Sequence, residues 1–131
     1  MKVVFDTNVL ISGFLTVTGS SQYILRRALR SHQVILSDYV LKEFEEKLTR
    51  KLGMPGHLVK EAILFLRRRA VILDVLERAQ VKFGDQKDIP ILNLIHTSKA
   101  HYFVTGDKKL LDLKRLGPTV FLSPREAMEM L

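Results

Sequence analysis

The chain opens with a continuous apolar run at 3 to 5, VVF, which stops at Asp6, and similar short runs recur after it. Runs of this length, bounded by polar residues, suit strands buried on both faces. They predict strands at 2 to 5, 33 to 36 (QVIL), 70 to 75 (AVILDV), 101 to 105 (HYFVT) and 119 to 123 (TVFLS). Between the strands the apolar positions shift to helical spacing. Tyr23, Ile24, Arg27 and Ala28 share a face over 20 to 31, with Ser20 or Ser21 as cap. Ser37 is a good N-cap for the helix DYVLKEFEEKLTRKL, which Gly53 ends. Pro55 and Gly56 mark a turn, and a helix over 57 to 69 places Leu58, Ala62, Phe65 and Leu66 on one side. A polar stretch around Asp85 leads into a helix from about Asp88 to Lys99, and Pro124 starts a closing helix. The stretch FLTVTGSSQ after Gly13 reads as a loop.

Strands alternating with helices imply right-handed crossovers and a mainly parallel sheet covered on both faces. The expected fold is α/β: a three-layer α/β/α sandwich with a central sheet of about five strands. At 131 residues, with 47% apolar composition and no repeat, low-complexity tract or flexible linker, the chain is expected to be one globular domain over 1–131. In such sheets ligands bind beyond the carboxyl ends of the strands, near the point where strand order reverses.

Composition narrows the classes. Cysteine is absent, which excludes a disulfide framework and cysteine-ligated zinc and fits a reducing cytoplasm. Only three apolar residues separate Lys2 from Asp6, unlike a signal peptide, and no run approaches the roughly 20 residues needed to span a membrane. The formal charge of +7 favours polyanionic partners, of which nucleic acid is the commonest.

The strand-end rule turns attention to carboxylates. Asp6 directly follows the first strand, and Asp107 follows the fourth across TGD. Glu43 falls in the first two turns of the helix after the second strand, and Asp88 begins the helix before the fourth. In a parallel sheet all four can meet at one edge. Each also has an ordinary reading: Asp6 as cap of a short turn over Thr7 to Val9, Asp88 and Asp107 as caps, Glu43 as surface, and Asp85 as a loop or capping residue. Four acids at one edge repel and need a cation or a proton. An all-oxygen set suits Mg²⁺ or Mn²⁺. His32, His57, His96 and His101 show no spacing suited to ligation.

VVFDTNVLIS taken with FVTGDKKLL resembles the PIN-domain nuclease family, in particular its small single-domain members of VapC-like type. The likeness extends from Lys2 through the closing FLSPREAMEML. SDYVLKEFEEKL resembles the segment carrying the family's second acid, at Glu43, and DQKDIPIL that carrying the third, at Asp88. Asp6 and Asp107 match the first and fourth. Asn8, Thr105 and Ser12 match supporting polar positions. Ile95 and Lys99 stand where small residues are common in the family.

The resemblance implies a metal-dependent endoribonuclease. Asp6, Glu43, Asp88 and Asp107 would hold Mg²⁺ or Mn²⁺, and water would cut RNA to a 5′-phosphate and a 3′-hydroxyl. It also implies a toxin of a toxin–antitoxin pair, with an antitoxin protein as partner and a homodimer as assembly. Positive charge for RNA is expected from Lys108, Lys109, Arg67 and Arg68, with Arg26, Arg27, Arg30 and Arg69 as further candidates. The alternatives are a non-catalytic RNA-binding or scaffold module, and a single-stranded DNA or structure-specific nuclease.

Overall fold

The computed structural model describes residues 1–75 and 86–131. The expected loop or capping position Asp85 lies outside them. Among the described residues six strands form one sheet in the order β3-β2-β1-β4-β6-β5. They are β1 (Lys2–Phe5), β2 (Gln33–Ser37), β3 (Val71–Leu73), β4 (Tyr102–Val104), β5 (Arg115–Leu116) and β6 (Thr119–Leu122). All neighbouring pairs are parallel except β5 with β6. Among the described residues seven α-helices flank the sheet, giving the α/β/α sandwich: α1 (Thr7–Leu15), α2 (Ser20–Ser31), α3 (Asp38–Glu46), α4 (Gly56–Arg69), α5 (Ile89–Ser98), α6 (Lys108–Leu111) and α7 (Pro124–Met130).

β1 is central, between β2 and β4, and Val3, Val4 and Phe5 are fully buried. A strand covered on both faces needs apolar side chains at successive positions, which is why VVF does not alternate. From β1 the chain steps outward to β2 and β3, then returns across β1 to β4 and β6. The reversal of strand order therefore lies between the carboxyl ends of β1 and β4.

Three features depart from the pattern in the sequence. First, the expected turn after Asp6 is a full helix, and α1 continues through Gly13 to Leu15. Gly13 sits where α1 meets α2: a Cβ there would lie 2.6 Å from Leu25 Cδ2, 3.1 Å from Leu25 Cβ and 3.3 Å from the Ser21 carbonyl oxygen. The missing side chain lets the two helices approach, so glycine here marks packing and not a break. Second, a sixth strand, β5, pairs antiparallel at the sheet edge through a tight turn with Gly117 at φ +55°. Third, the helix after β2 does not stay α-helical to its end. It passes into a π-helical turn over Lys47–Lys51, and Gly53 at φ +61° closes it.

Ser37 caps α3 by accepting from the Val40 N–H at 3.2 Å, and Ser123 with Glu126 forms a capping box on α7. Ile95 is fully buried in the core from α5. Lys99 ends that helix in the left-handed region at φ 52°.

Candidate functional site

Asp6 is placed twice over. Its backbone N–H donates to the Val104 carbonyl at 2.9 Å, which extends the β1–β4 ladder past the end of the strands. It is also the N-cap of α1, with its Oδ1 accepting from the Thr7 N–H at 2.9 Å. The second oxygen, Oδ2, accepts from the Thr105 hydroxyl at 2.7 Å. Thr105 is fully buried, and its own N–H continues the β4–β6 ladder to Leu122 at 3.0 Å. The Thr105 hydroxyl oxygen in turn accepts from the Asp107 N–H at 3.0 Å. One buried threonine thus links the first and fourth acids of the sequence pattern.

Thr7 performs a similar linkage on the other side. It is buried, and its hydroxyl donates to Glu43 Oε1. Asp107 caps α6, its Oδ1 accepting from the Lys109 N–H at 2.9 Å. Asp88 ends a short 3₁₀ turn, Gln86–Asp88, that leads into α5.

These elements enclose a cleft of about 190 Å³ at the carboxyl edge of the sheet, at the point of strand reversal. It is lined by all four acids, Asp6, Glu43, Asp88 and Asp107, together with Asn8, Tyr39, Lys47 and Lys87. Burial pushes the Asp6 carboxyl above its ordinary value. The Thr105 and Thr7 hydrogen bonds pull it down, the Glu43 charge pushes it up, and the Lys47 charge again lowers it. Burial also raises the Tyr39 phenol, with the Glu43 and Glu46 charges adding to the effect.

The donor set is all oxygen, which fits a hard divalent ion. Among the described residues, no three His, Cys, Asp or Glu side chains are already gathered around a common ion position. That is compatible with Mg²⁺, which keeps several of its waters and takes one or two carboxylates in preference to a closed protein cage.

Other residues singled out in the sequence lie elsewhere. Asn8 is at the cleft, and its Oδ1 accepts from Lys47 Nζ at 3.1 Å. Ser12 is exposed on α1 and outside the cleft lining, its carbonyl accepting from the Thr16 N–H at 3.1 Å. Lys108 and Lys109 are exposed beside Asp107 but do not line the cleft. Arg67 pairs with Asp38 at 3.1 Å, and Arg68 is exposed at the end of α4. Arg26, Arg30 and Arg69 border a separate hollow of about 430 Å³ between α1, α2 and α4, and Arg27 donates from Nε to the Leu131 carbonyl.

Sequence reasoning missed Thr7, Tyr39, Lys47 and Lys87. A signal existed for Lys47, four residues after Glu43 and therefore on the same helical face. Thr7 offered only its adjacency to Asp6.

No curated protein matches the chain. Among solved structures, the chain is similar in fold to a chain of the crystal structure of VapBC2 from Rickettsia felis bound to a DNA fragment from their promoter. The TM-score is 0.65 at 16% identity, covering 94% of this chain and 98% of that one. No helix among the described residues is long and apolar enough to cross a membrane. Residues 2–109 match the PIN domain family, a span that holds β1 to β4 and all four acids of the cleft, and the chain belongs to that family.

Proposed function

We propose that the chain is a Mg²⁺- or Mn²⁺-dependent endoribonuclease acting in the cytoplasm as the toxin of a toxin–antitoxin pair. The observation that carries this reading is the convergence of Asp6, Glu43, Asp88 and Asp107, from four separate segments, on one cleft at the sheet's carboxyl edge. Membership of the PIN domain family supports nuclease chemistry. The similarity in fold to a structure of VapBC2 supports an antitoxin protein as partner.

The four acids would hold one or two divalent ions. When bound, such an ion supplies a water of lowered pKa and charge stabilisation at the scissile phosphate. The remaining work falls to the chain. Thr7 and Thr105 fix both oxygens of Asp6, so that ligand is oriented before loading. The Thr7 hydroxyl holds one oxygen of Glu43. Burial raises the proton affinity of Asp6, so a bound ion would compete with a proton for that carboxyl at low pH.

The homodimer of this reading would use apolar surface such as Leu58, Leu64 and Phe65 of α4, which is exposed. Sedimentation of the purified chain tests it: a monomer at all concentrations removes the dimer.

The direct test of function is cleavage of a mixed RNA and single-stranded DNA panel with Mn²⁺ or Mg²⁺, against EDTA and Asp6→Asn controls. RNA cleavage that needs metal and Asp6 supports the reading. Cleavage of DNA alone replaces it with a DNA nuclease. The alternative reading is an RNA-binding module without catalysis. Under that reading Mn²⁺ gives no thermal stabilisation.

A further inference from the structure

Lys47 is the one half-buried lysine among the described residues, the others being exposed. It lines a cleft that also holds four carboxylates. Helical spacing offers it Glu43, four residues earlier, as an ion-pair partner. That pairing is not made. The Thr7 hydroxyl engages Glu43, and Lys47 Nζ donates to the neutral Asn8 Oδ1 at 3.1 Å. No carboxylate oxygen among the described residues lies within ion-pairing distance of Lys47. The ammonium carries three N–H groups, and among the described residues Asn8 Oδ1 takes one of them. Its charge still reaches the cleft, since it acts on Asp6.

The backbone is also unusual here. The Lys47 N–H is shared between the Glu43 and Phe44 carbonyls, and the helix turns from α to π at this residue. Single π turns re-aim side chains and recur at functional sites.

A lysine needed only to neutralise the acids would lie against one of them. A lysine braced by an amide beside them keeps its charge and its donors for an outside anion. We propose that Lys47, positioned by Asn8, binds a phosphate oxygen of the nucleic-acid strand at the carboxylate cleft. This rests on the nuclease reading above and adds the residue that contacts substrate phosphate where the acids alone would repel it. Lys47 is then a substrate-binding residue, and Asn8 is its positioning residue.

The test is equilibrium binding of a fluorescein-labelled single-stranded RNA to the full chain in EDTA, at several salt concentrations, read by anisotropy. Lys47→Met is expected to weaken binding about tenfold. It should also reduce the salt slope by about one contact. Lys47→Arg should restore both. Asn8→Ala should weaken binding by a smaller factor with an unchanged salt slope, because the charge remains. Exposed Lys42→Met should match wild type. Circular dichroism melts check that each variant folds, and Lys47→Arg keeps the test decisive if Lys47→Met does not.

Unchanged RNA affinity in Lys47→Met, with greater Mn²⁺ thermal stabilisation than wild type, would show a lysine that only offsets the acids and would overturn the proposal. If that same variant also cleaves RNA normally with Mn²⁺, the nuclease reading survives alone. Lys47-dependent RNA binding without cleavage under any metal supports the proposal and removes the nuclease reading. No RNA binding and no cleavage by wild type overturns both.

Discussion

Two hollows share helix α1, and they differ in almost every respect. At its N-terminus lies the cleft of about 190 Å³ with four acids, Asp6, Asp88 and Asp107 at helix N-caps and Glu43 in the second turn of α3. At its C-terminus lies the hollow of about 430 Å³, floored by Phe14, Leu25, Leu29 and Phe65 and bordered by Arg26, Arg30 and Arg69. Size points to the second and chemistry to the first. In the cleft, Asp6 is tied to two threonines and to the ladder between the two central strands. In the hollow, packing dominates: Phe14 meets Phe44 and Phe65 edge-on at 5.4 and 5.9 Å, and Arg69 lies over the Phe65 ring at 5.0 Å. The comparison teaches that the proposed site is marked by how its polar groups are fixed, and not by how much space surrounds them.

Substitutions can break or sharpen this contrast. The largest effect is expected at Asp6. Asp6→Asn should lower RNA cleavage by several kcal/mol of barrier, about a thousandfold or more, while Arg26→Gln with Arg30→Gln leaves the chemical step within a few fold. Single-turnover cleavage at saturating enzyme checks both, and equal losses would erase the distinction between the hollows.

Next comes the packing side. Phe44 is fully buried under Phe14, so Phe44→Ala should cost about 3–5 kcal/mol of stability in urea unfolding. Gly13→Ala should cost about 1–3 kcal/mol, because the added methyl meets Leu25 and the Ser21 carbonyl. A neutral Gly13→Ala would mean that α1 and α2 separate freely.

The smallest effect is a pH signature. Unfolded, Asp6 titrates at its ordinary value of 3.8, and burial raises it in the folded chain. The native state therefore binds the proton more tightly. Stability falls as pH rises from the unfolded value through the folded one, and the deficit persists above it. Asparagine cannot ionise, so Asp6→Asn should melt higher than wild type at neutral pH, by a margin that vanishes below about pH 4. A margin constant with pH would show that Asp6 is not desolvated.

Much of this was legible in the sequence for a physical reason. Strands buried on both faces need unbroken apolar runs, so VVF, VIL and YFV announced the sheet, and the residues after them announced the cleft. What was hidden depends on contacts between distant segments. Gly13 looks like a breaker in one dimension and is a contact point in three. β5 is two residues long and exists only because β6 offers an edge. By helical spacing alone Lys47 would be set against Glu43, four residues earlier. Its orientation depends on Asn8, 39 residues earlier, and on a π turn that 3.6-residue periodicity does not encode. Asn8 was legible as polar and near the site, but not as the residue that orients a lysine.

The central claim is that the four carboxylates form one divalent-ion site. Calorimetric titration of the purified chain with Mn²⁺ tests it most directly, run in two buffers of different ionisation enthalpy to count released protons. The account predicts saturable binding that releases protons increasingly as pH falls toward the Asp6 titration, and that is lost in both Asp6→Asn and Asp107→Asn. Mn²⁺ binding of equal strength in wild type and both variants, or none in wild type, would contradict it.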